Sequence, residues 1–358
     1  GYLEEGWNNP EDLDEAIRRS LSDAESQCGI KIKEINVGVP GAFTRVYATK
    51  ATVSLKGTDP RVTSADVKSA FNQAAEKLED IPGVVIHSSP AWFMVDSSKK
   101  TLEPVGMKGR EMTAFISFVV GNRYFIDDVT TRMAEMGITV SGFFSTTAGE
   151  AMLYLDEPAR DHTSVLIDMG YLNTEIIGVE GDAVIYHKVL PMGGGDIAVA
   201  LADELDISLT AAEEIKRKFV YGIESSEDKY EVPGADGEKA TVFTRDQVKP
   251  VICGAVDEIA DQIKDAIDND FAGLGNWSHI LMTGGGLSFN RGGREYLGGR
   301  LGRAVEDIPR RTTKLNSHSF SSSLGLMDLI IDTIEQQRAP SGGFASKVGG
   351  FFKTLLGG

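Results

Sequence analysis

The chain has 358 residues, 41% of them hydrophobic and 25% charged, which is globular usage with room for two domains or one split domain. Its formal net charge of −17 argues against nucleic acid as the main partner, because phosphate binding needs a basic surface. No stretch reads as a signal peptide or as an apolar run long enough to cross a bilayer, so any meeting with a membrane is expected at its surface.

Taken in order, the chain starts in what looks like the middle of a domain, and its true beginning is expected to lie upstream of Gly1. Pro10-Glu11-Asp12-Leu13 opens a helix with Leu13, Ile17 and Leu21 recurring every four residues. Residues 35–39 read as a buried strand ending in the Pro40-Gly41 turn. Residues 48–55 alternate as a half-exposed strand, and Thr63 to Asp66 cap a helix carrying Val67, Phe71, Ala74 and Leu78. Strands over 84–86, 91–95 and 112–119 and a helix over 124–136 complete a compact α+β unit. Within it, Pro104-Val105-Gly106-Met107-Lys108-Gly109 reads as a Pro/Gly-rich connection. The two cysteines, Cys28 and Cys253, lack metal-ligand spacing, which predicts two buried thiols in a reducing cytoplasm and no disulfide.

Three glycine-bearing turns follow. Residues 163–178 predict a strand, the Asp168-Met169-Gly170 turn and a second strand; such a hairpin either wraps phosphate with its amides while Asp168 faces a hydrated cation, or is purely structural. Tyr171, Leu172 and Asn173 stand where small residues suit a phosphate, and Thr174 offers a hydroxyl. Gly193-Gly194-Gly195-Asp196 opens a helix with Ile197, Leu201 and Leu205 on one face, either a phosphate-binding N-terminus or an ordinary cap. A helix beginning at Ser208 or Thr210 puts Glu213 and Lys216 on one face, able to meet ribose hydroxyls or to form a plain ion pair. Residues 224–241 predict a mobile hairpin, and 244–269 a long helix with Val248, Ile252, Val256, Ile259 and Ile263 as core. The third turn is Gly284-Gly285-Gly286, which follows the apolar strand Ile280-Leu281-Met282 and bares backbone for a flat ligand or a helix start. A helix over 296–303, a strand over 305–308 and an apolar helix over 319–334 close the domain.

The tail is separate in kind. After Ser341-Gly342-Gly343, the residues Phe344, Val348, Phe351, Phe352 and Leu355 fall on one helical face with Lys347 and Lys353 off it. This is the pattern of an amphipathic helix at an anionic membrane surface, the alternative being a helix docked on the protein's own core. Gly349 and Gly350 each cost about 1 kcal/mol relative to Ala, so such a helix forms on lipid.

The order of these features, with Ala212-Glu213-Glu214-Ile215-Lys216 and Met282-Thr283-Gly284-Gly285-Gly286, resembles the actin/Hsp70/sugar-kinase superfamily. Within it the inserted α+β unit and the Pro-Val-Gly loop resemble the FtsA family of bacterial cell-division proteins. The resemblance implies an actin-like (ribonuclease H-like) two-domain α/β fold with an inserted 1C subdomain of SHS2 type. Residues 1–46 would be the first part of domain I, 47–141 the insertion and 142–187 the second part of domain I. Domain II would follow over 188–310, with subdomain 2B at about 222–270. Residues 311–337 would return to domain I, 338–343 would link, and 344–358 would target the membrane.

The resemblance further implies ATP with Mg²⁺. Adenine falls to Gly284, Gly285, Gly286 and Leu287, ribose to Glu213 and Lys216, and the phosphates to Asp168, Gly170, Asn173, Thr174, Gly193, Gly194 and Gly195, with Asp168 reaching the metal through water. The family's N-terminal phosphate hairpin has no counterpart here and no residue stands as a catalytic base, so a nucleotide-binding scaffold is expected rather than an efficient enzyme. FtsZ, further copies of the chain, a membrane surface and, through the 1C unit, other division proteins are the implied partners at the cytoplasmic face of the division site. The alternatives are a PilM-like pilus-assembly adaptor and a sugar kinase.

Overall fold

The computed structural model describes residues 2–3, 6–223, 228–232, 240–271, 274–275, 278–310 and 317–338. The tail residues named for membrane contact lie outside this set, as do parts of the expected 224–241 hairpin.

Two short paired strands, β1 (Tyr2–Leu3) and β2 (Gly6–Trp7), precede helix α1 (Pro10–Cys28). Asn9 caps α1 by accepting from the Asp12 amide, and Gly29 ends it in the left-handed region. Strand β3 (Glu34–Val39) then pairs in parallel with the distant β7 (Thr139–Ser145). Helix α3 (Arg123–Glu135) buries Phe125, Ile126, Val129 and Met133 against Val39, Ile86, Val119 and Ile138. It is tied to α1 by the 2.7 Å pair of Arg132 with Asp14, so this helix joins the parallel pair to the neighbouring sheet.

That sheet has three antiparallel strands in the order β4 (Thr44–Ser54), β6 (Glu111–Gly121), β5 (Val84–Val95). Helix α2 (Ser64–Glu76), held by a reciprocal cap between Thr63 and Asp66, packs Val67, Ala70, Phe71 and Ala74 on one face of it. The two strands expected over 84–86 and 91–95 are one strand whose register shifts between Val85 and His87 and again between Pro90 and Trp92. Pro90 has no N–H to donate, and the second irregularity lets pairing with β6 continue past it. The Pro-Val-Gly loop is zipped onto residues 60–62: the Gly106 amide donates to the Val62 carbonyl at 2.8 Å and Val62 donates to Met107 at 2.9 Å.

A five-stranded sheet carries the rest, in the order β10 (Ala183–Leu190), β9 (Thr174–Glu180), β8 (Ser164–Met169), β13 (Ile280–Thr283), β14 (Glu306–Asp307). Strands β8, β9 and β10 form an antiparallel meander, whereas β13 runs parallel to both β8 and β14. On one face lie α6 (Gly194–Leu205), α7 (Leu209–Lys218), α8 (Arg245–Asp265) and α9 (Gly293–Leu301). The expected core row of α8, Val248, Ile252, Val256, Ile259 and Ile263, is fully buried there. The hairpin β11 (Lys229–Val232) and β12 (Thr241–Thr244) leads into α8.

The opposite face is covered by α4 (Thr146–Tyr154), whose Ala148, Ala151 and Tyr154, with Leu155, pack on Leu166, Ile177, Val179 and Leu281. The short α5 (Glu157–Arg160) links α4 to β8. Helix α10 (Ser321–Arg338) crosses α4 at Gly149 and Gly325, where a Cβ on either would fall 2.4 Å from backbone of the other helix. Among the described residues no helix is long and apolar enough to cross a membrane.

One expectation fails. Both thiols are free, as predicted, but Cys28 is exposed and Cys253 only half-buried. Cys28 is the last residue of a helix that buries no residue completely.

Candidate functional site

The three glycine turns meet. Strand β13 lies beside β8 with Thr283 in register with Asp168, so Gly284 to Gly286 emerge next to the turn at the end of β8. That turn is closed by the Gly170 amide donating to the Asn173 carbonyl at 2.9 Å. The start of α6 then docks on it: the Gly194 amide donates to the Gly170 carbonyl at 2.9 Å and the Gly195 amide to the Tyr171 carbonyl at 2.7 Å. From the third turn, the Gly286 amide donates to the Met169 carbonyl at 2.7 Å.

Glycine is required because backbone lies on backbone. A Cβ on Gly194 would fall 2.5 Å from Gly286 Cα, one on Gly286 2.4 Å from the Gly170 carbonyl oxygen, and one on Gly193 2.7 Å from that same oxygen. Gly284 also has φ +86°, and a Cβ there would lie 2.3 Å from the Asp168 carboxylate.

The remaining expected site residues have defined positions. The Thr174 hydroxyl donates to the Met192 carbonyl at 2.8 Å, tying the second strand of the hairpin to the approach of α6. Ser208, rather than Thr210, caps α7. Glu213 and Lys216 form the ion pair, at 2.7 Å. The Lys216 ammonium is buried, donates to the Gly194 carbonyl at 2.7 Å and lies 5.2 Å from the Tyr171 ring centroid. A buried ammonium needs such partners, and its role here is to brace the glycine helix start. Leu287 is fully buried in the core rather than lining the turn. Gly285 alone of its triplet has no backbone against it: its absent Cβ faces only the ring of Phe289, closely, at 3.1 Å, and Phe289 is itself exposed and able to give way.

Several residues at the site escaped the sequence reading. Asn290 is buried and donates from its side chain to the carbonyls of Lys216 and Phe219. A cluster of acids surrounds Asp168: Glu150 comes from α4, and Glu175 faces Asp168 directly across the β8–β9 pair. Glu150 accepts from Ser322 at 3.0 Å, and Glu175 accepts from Thr147 at 3.0 Å and contacts His187 at 3.1 Å. Burial, then the charge of Glu175, pushes Asp168 well above the ordinary carboxylate range. Burial, then the charges of Asp168 and Glu175, pushes Glu150 up as well. The upward direction of both shifts favours a hydrogen bond between the Glu150 and Asp168 carboxyl groups. The pairing of Asp168 with Glu175 was deducible from hairpin register; Glu150 carried no signal beyond being a glutamate in a small-residue helix. Among the described residues no group of three or more His, Cys, Asp or Glu is arranged to hold a metal ion.

Comparison with known proteins fits this arrangement. The family model "Cell division protein FtsA" matches residues 165–337, and the model "SHS2 domain inserted in FTSA" matches residues 41–120. The cell division protein FtsA of Streptococcus pneumoniae is 24% identical over 255 residues, covering 71% of this chain and 56% of the relative. That of Neisseria meningitidis is 24% identical over 335 residues, covering 87% of this chain and 77% of the relative. The chain thus spans little more than half the length of the first of these. Among solved structures, a chain of the PilM–PilN type IV pilus biogenesis complex superposes with a TM-score of 0.57 at 19% identity, covering 91% of this chain and 87% of that one; this likeness is one of fold.

A meander sheet flanked by helices, glycine turns meeting at its strand ends and an inserted three-stranded unit define an actin-like protein with an SHS2 insertion. The pilus protein shares that architecture, but the two family matches lie on the inserted unit and on the glycine-turn domain and both belong to division proteins. The chain belongs to the FtsA family of cell-division proteins.

Proposed function

We propose that this chain is an actin-like scaffold of the division ring that takes ATP with Mg²⁺ at the glycine junction, self-associates, and tethers the FtsZ ring to the cytoplasmic face of the membrane through residues 344–358. The domain division given from the sequence, with the insertion as a docking unit for further division proteins, belongs to the same reading. The observation that carries the nucleotide part is the meeting of the 168–174, 193–195 and 284–286 turns around the half-buried Asp168 carboxylate.

The base end suits a flat ligand: no backbone packs on Gly285, and the exposed Phe289 ring stands beside it. The phosphate end is different, because the amides of Gly194, Gly195 and Gly286, the Thr174 hydroxyl and the Lys216 ammonium already donate within the protein. They do not form a free phosphate cradle in this arrangement, and we assign no hydrolytic step to them. Asp168 supplies a single carboxylate to Mg²⁺, through water. When bound, the cation supplies positive charge to a cluster of three carboxyl groups. The nucleotide is structural in this reading, biasing domain closure and polymer contacts.

Calorimetric titration of this chain with ATP and Mg²⁺ tests it. Heat of binding and a raised Tm are expected; absence of both leaves a nucleotide-free scaffold and removes ATP from the reading.

A further inference from the structure

The inserted sheet has a second face, which rests on the β9–β10 ribbon rather than on water. Trp92 and Ala91 of β5 pack with Ala183 of β10, flanked by Met94, Phe115 and Ile185. The buried Ser117 hydroxyl donates to the Val184 carbonyl, and the Asp182 amide donates to the Pro90 carbonyl at 3.2 Å. At the ribbon's turn, Gly181 has φ +58° and comes so close that a Cβ would lie 1.9 Å from the Ala91 carbonyl oxygen. At the rim, Lys100 pairs with Glu180 at 2.5 Å and lies 4.9 Å from the Trp92 ring centroid.

The far end of the same ribbon is the glycine junction. Strand β9 starts at Thr174, directly after the 168–173 turn, and β10 ends at Leu190, three residues before Gly193 caps α6. The Thr174 to Met192 hydrogen bond clasps the two strands there. The ribbon is the edge pair of the five-stranded sheet, about 25 Å long by strand rise, with β9 also paired to β8; the insertion lies against β10 and the β9–β10 turn, and the glycine turns stand at the opposite end. Near the junction end, His187 of β10 contacts Glu175, the second residue of β9 and a member of the acid cluster, at 3.1 Å.

We propose that the inserted sheet is a positioning device for the glycine junction: its seat on the β9–β10 turn fixes the pitch of the ribbon and thereby the contacts of Gly194 and Gly195 with the 170–171 carbonyls. Whatever engages the insertion then acts on the cleft through these two strands. The device does not depend on a nucleotide, so it stands or falls separately from the preceding reading.

Hydrogen exchange of the full chain, followed on proteolytic peptides, tests it. Ala183→Asp puts a carboxylate into the Trp92 contact, and Lys100→Glu sets like charges at the rim. In Ala183→Asp, exchange in peptides covering 166–176 and 190–198 is expected to rise by at least about tenfold, while peptides covering 250–263 of α8 keep wild-type protection. Lys100→Glu is expected to act in the same direction, and the swap Lys100→Glu with Glu180→Lys to restore protection. Should Ala183→Asp fail to fold, the rim pair reads the same peptides. Wild-type exchange at the junction in the variants, whether or not the peptides covering 88–95 and 182–187 open, overturns the proposal.

Discussion

At the scale of single residues, the site is decided by which groups have room and which are already engaged. Gly285 and Gly286 are neighbours with opposite surroundings: one meets only a ring edge, the other has carbonyl oxygens of Gly170 and Met169 at 2.4 and 2.8 Å from where its Cβ would stand. Gly286→Ala is therefore expected to lose about 3 kcal/mol or to prevent folding, whereas Gly285→Ala loses less than about 1 kcal/mol, as read by urea denaturation. Equal losses would remove the claim that backbone contact sets the need for glycine. The sequence showed both as one undifferentiated triplet, because nothing in three consecutive glycines reports what lies against each of them.

At the scale of elements, α4 and the β8–β9 hairpin are joined through acids whose charges oppose one another. Glu150 and Asp168 are pushed above their unfolded pKa values, so the folded state holds more protons than the unfolded state from about pH 4 upward. Their favourable contribution is complete at low pH and is lost as pH rises through the folded values. Glu150→Gln keeps a donor toward Asp168 without the added charge. It is expected to flatten the fall in stability between about pH 4 and pH 7, the span from the unfolded value of Asp168 to its folded one, by about 1 to 2 kcal/mol in urea denaturation relative to the wild type. A variant with the wild-type slope would mean that Glu150 is not what resists ionisation there. The elements themselves were largely legible: the helices at 10, 64, 194 and 245 start at recognisable caps, and the α8 row follows from spacing alone. The single strand β5 was read as two because Pro90, preceded by Ser88 and Ser89, looks like a break in sequence, whereas pairing with β6 continues past it through a register shift.

At the scale of the whole molecule, the proposed tether predicts that membrane binding is lost with the tail. The intact chain is expected to sediment with anionic liposomes and to carry FtsZ with it, and a version ending at Arg338 to remain in the supernatant. Loss of three phenylalanines, a valine, a leucine and two lysines removes both the apolar burial and the charge attraction that hold an interfacial helix. Equal sedimentation of the two versions would reject residues 344–358 as the anchor, and FtsZ left in the supernatant would favour the pilus-type adaptor or a kinase. Because one short helix binds weakly, sedimentation is expected to steepen with protein concentration if the chain self-associates.

The sequence by itself determined where strands run into glycine, which helix faces are apolar, that an α+β unit interrupts the chain, and hence the family. These are local signals: each is written in the spacing of residues within a dozen positions. Only the tertiary structure decided that the glycine amides donate to one another's turns, that Lys216 braces Gly194, that Glu150 reaches Asp168, and that the insertion sits on the ribbon leading to the cleft. Each of those depends on a partner remote in the chain, and a hydrogen-bonding group looks the same in sequence whether it faces a ligand, water or another backbone.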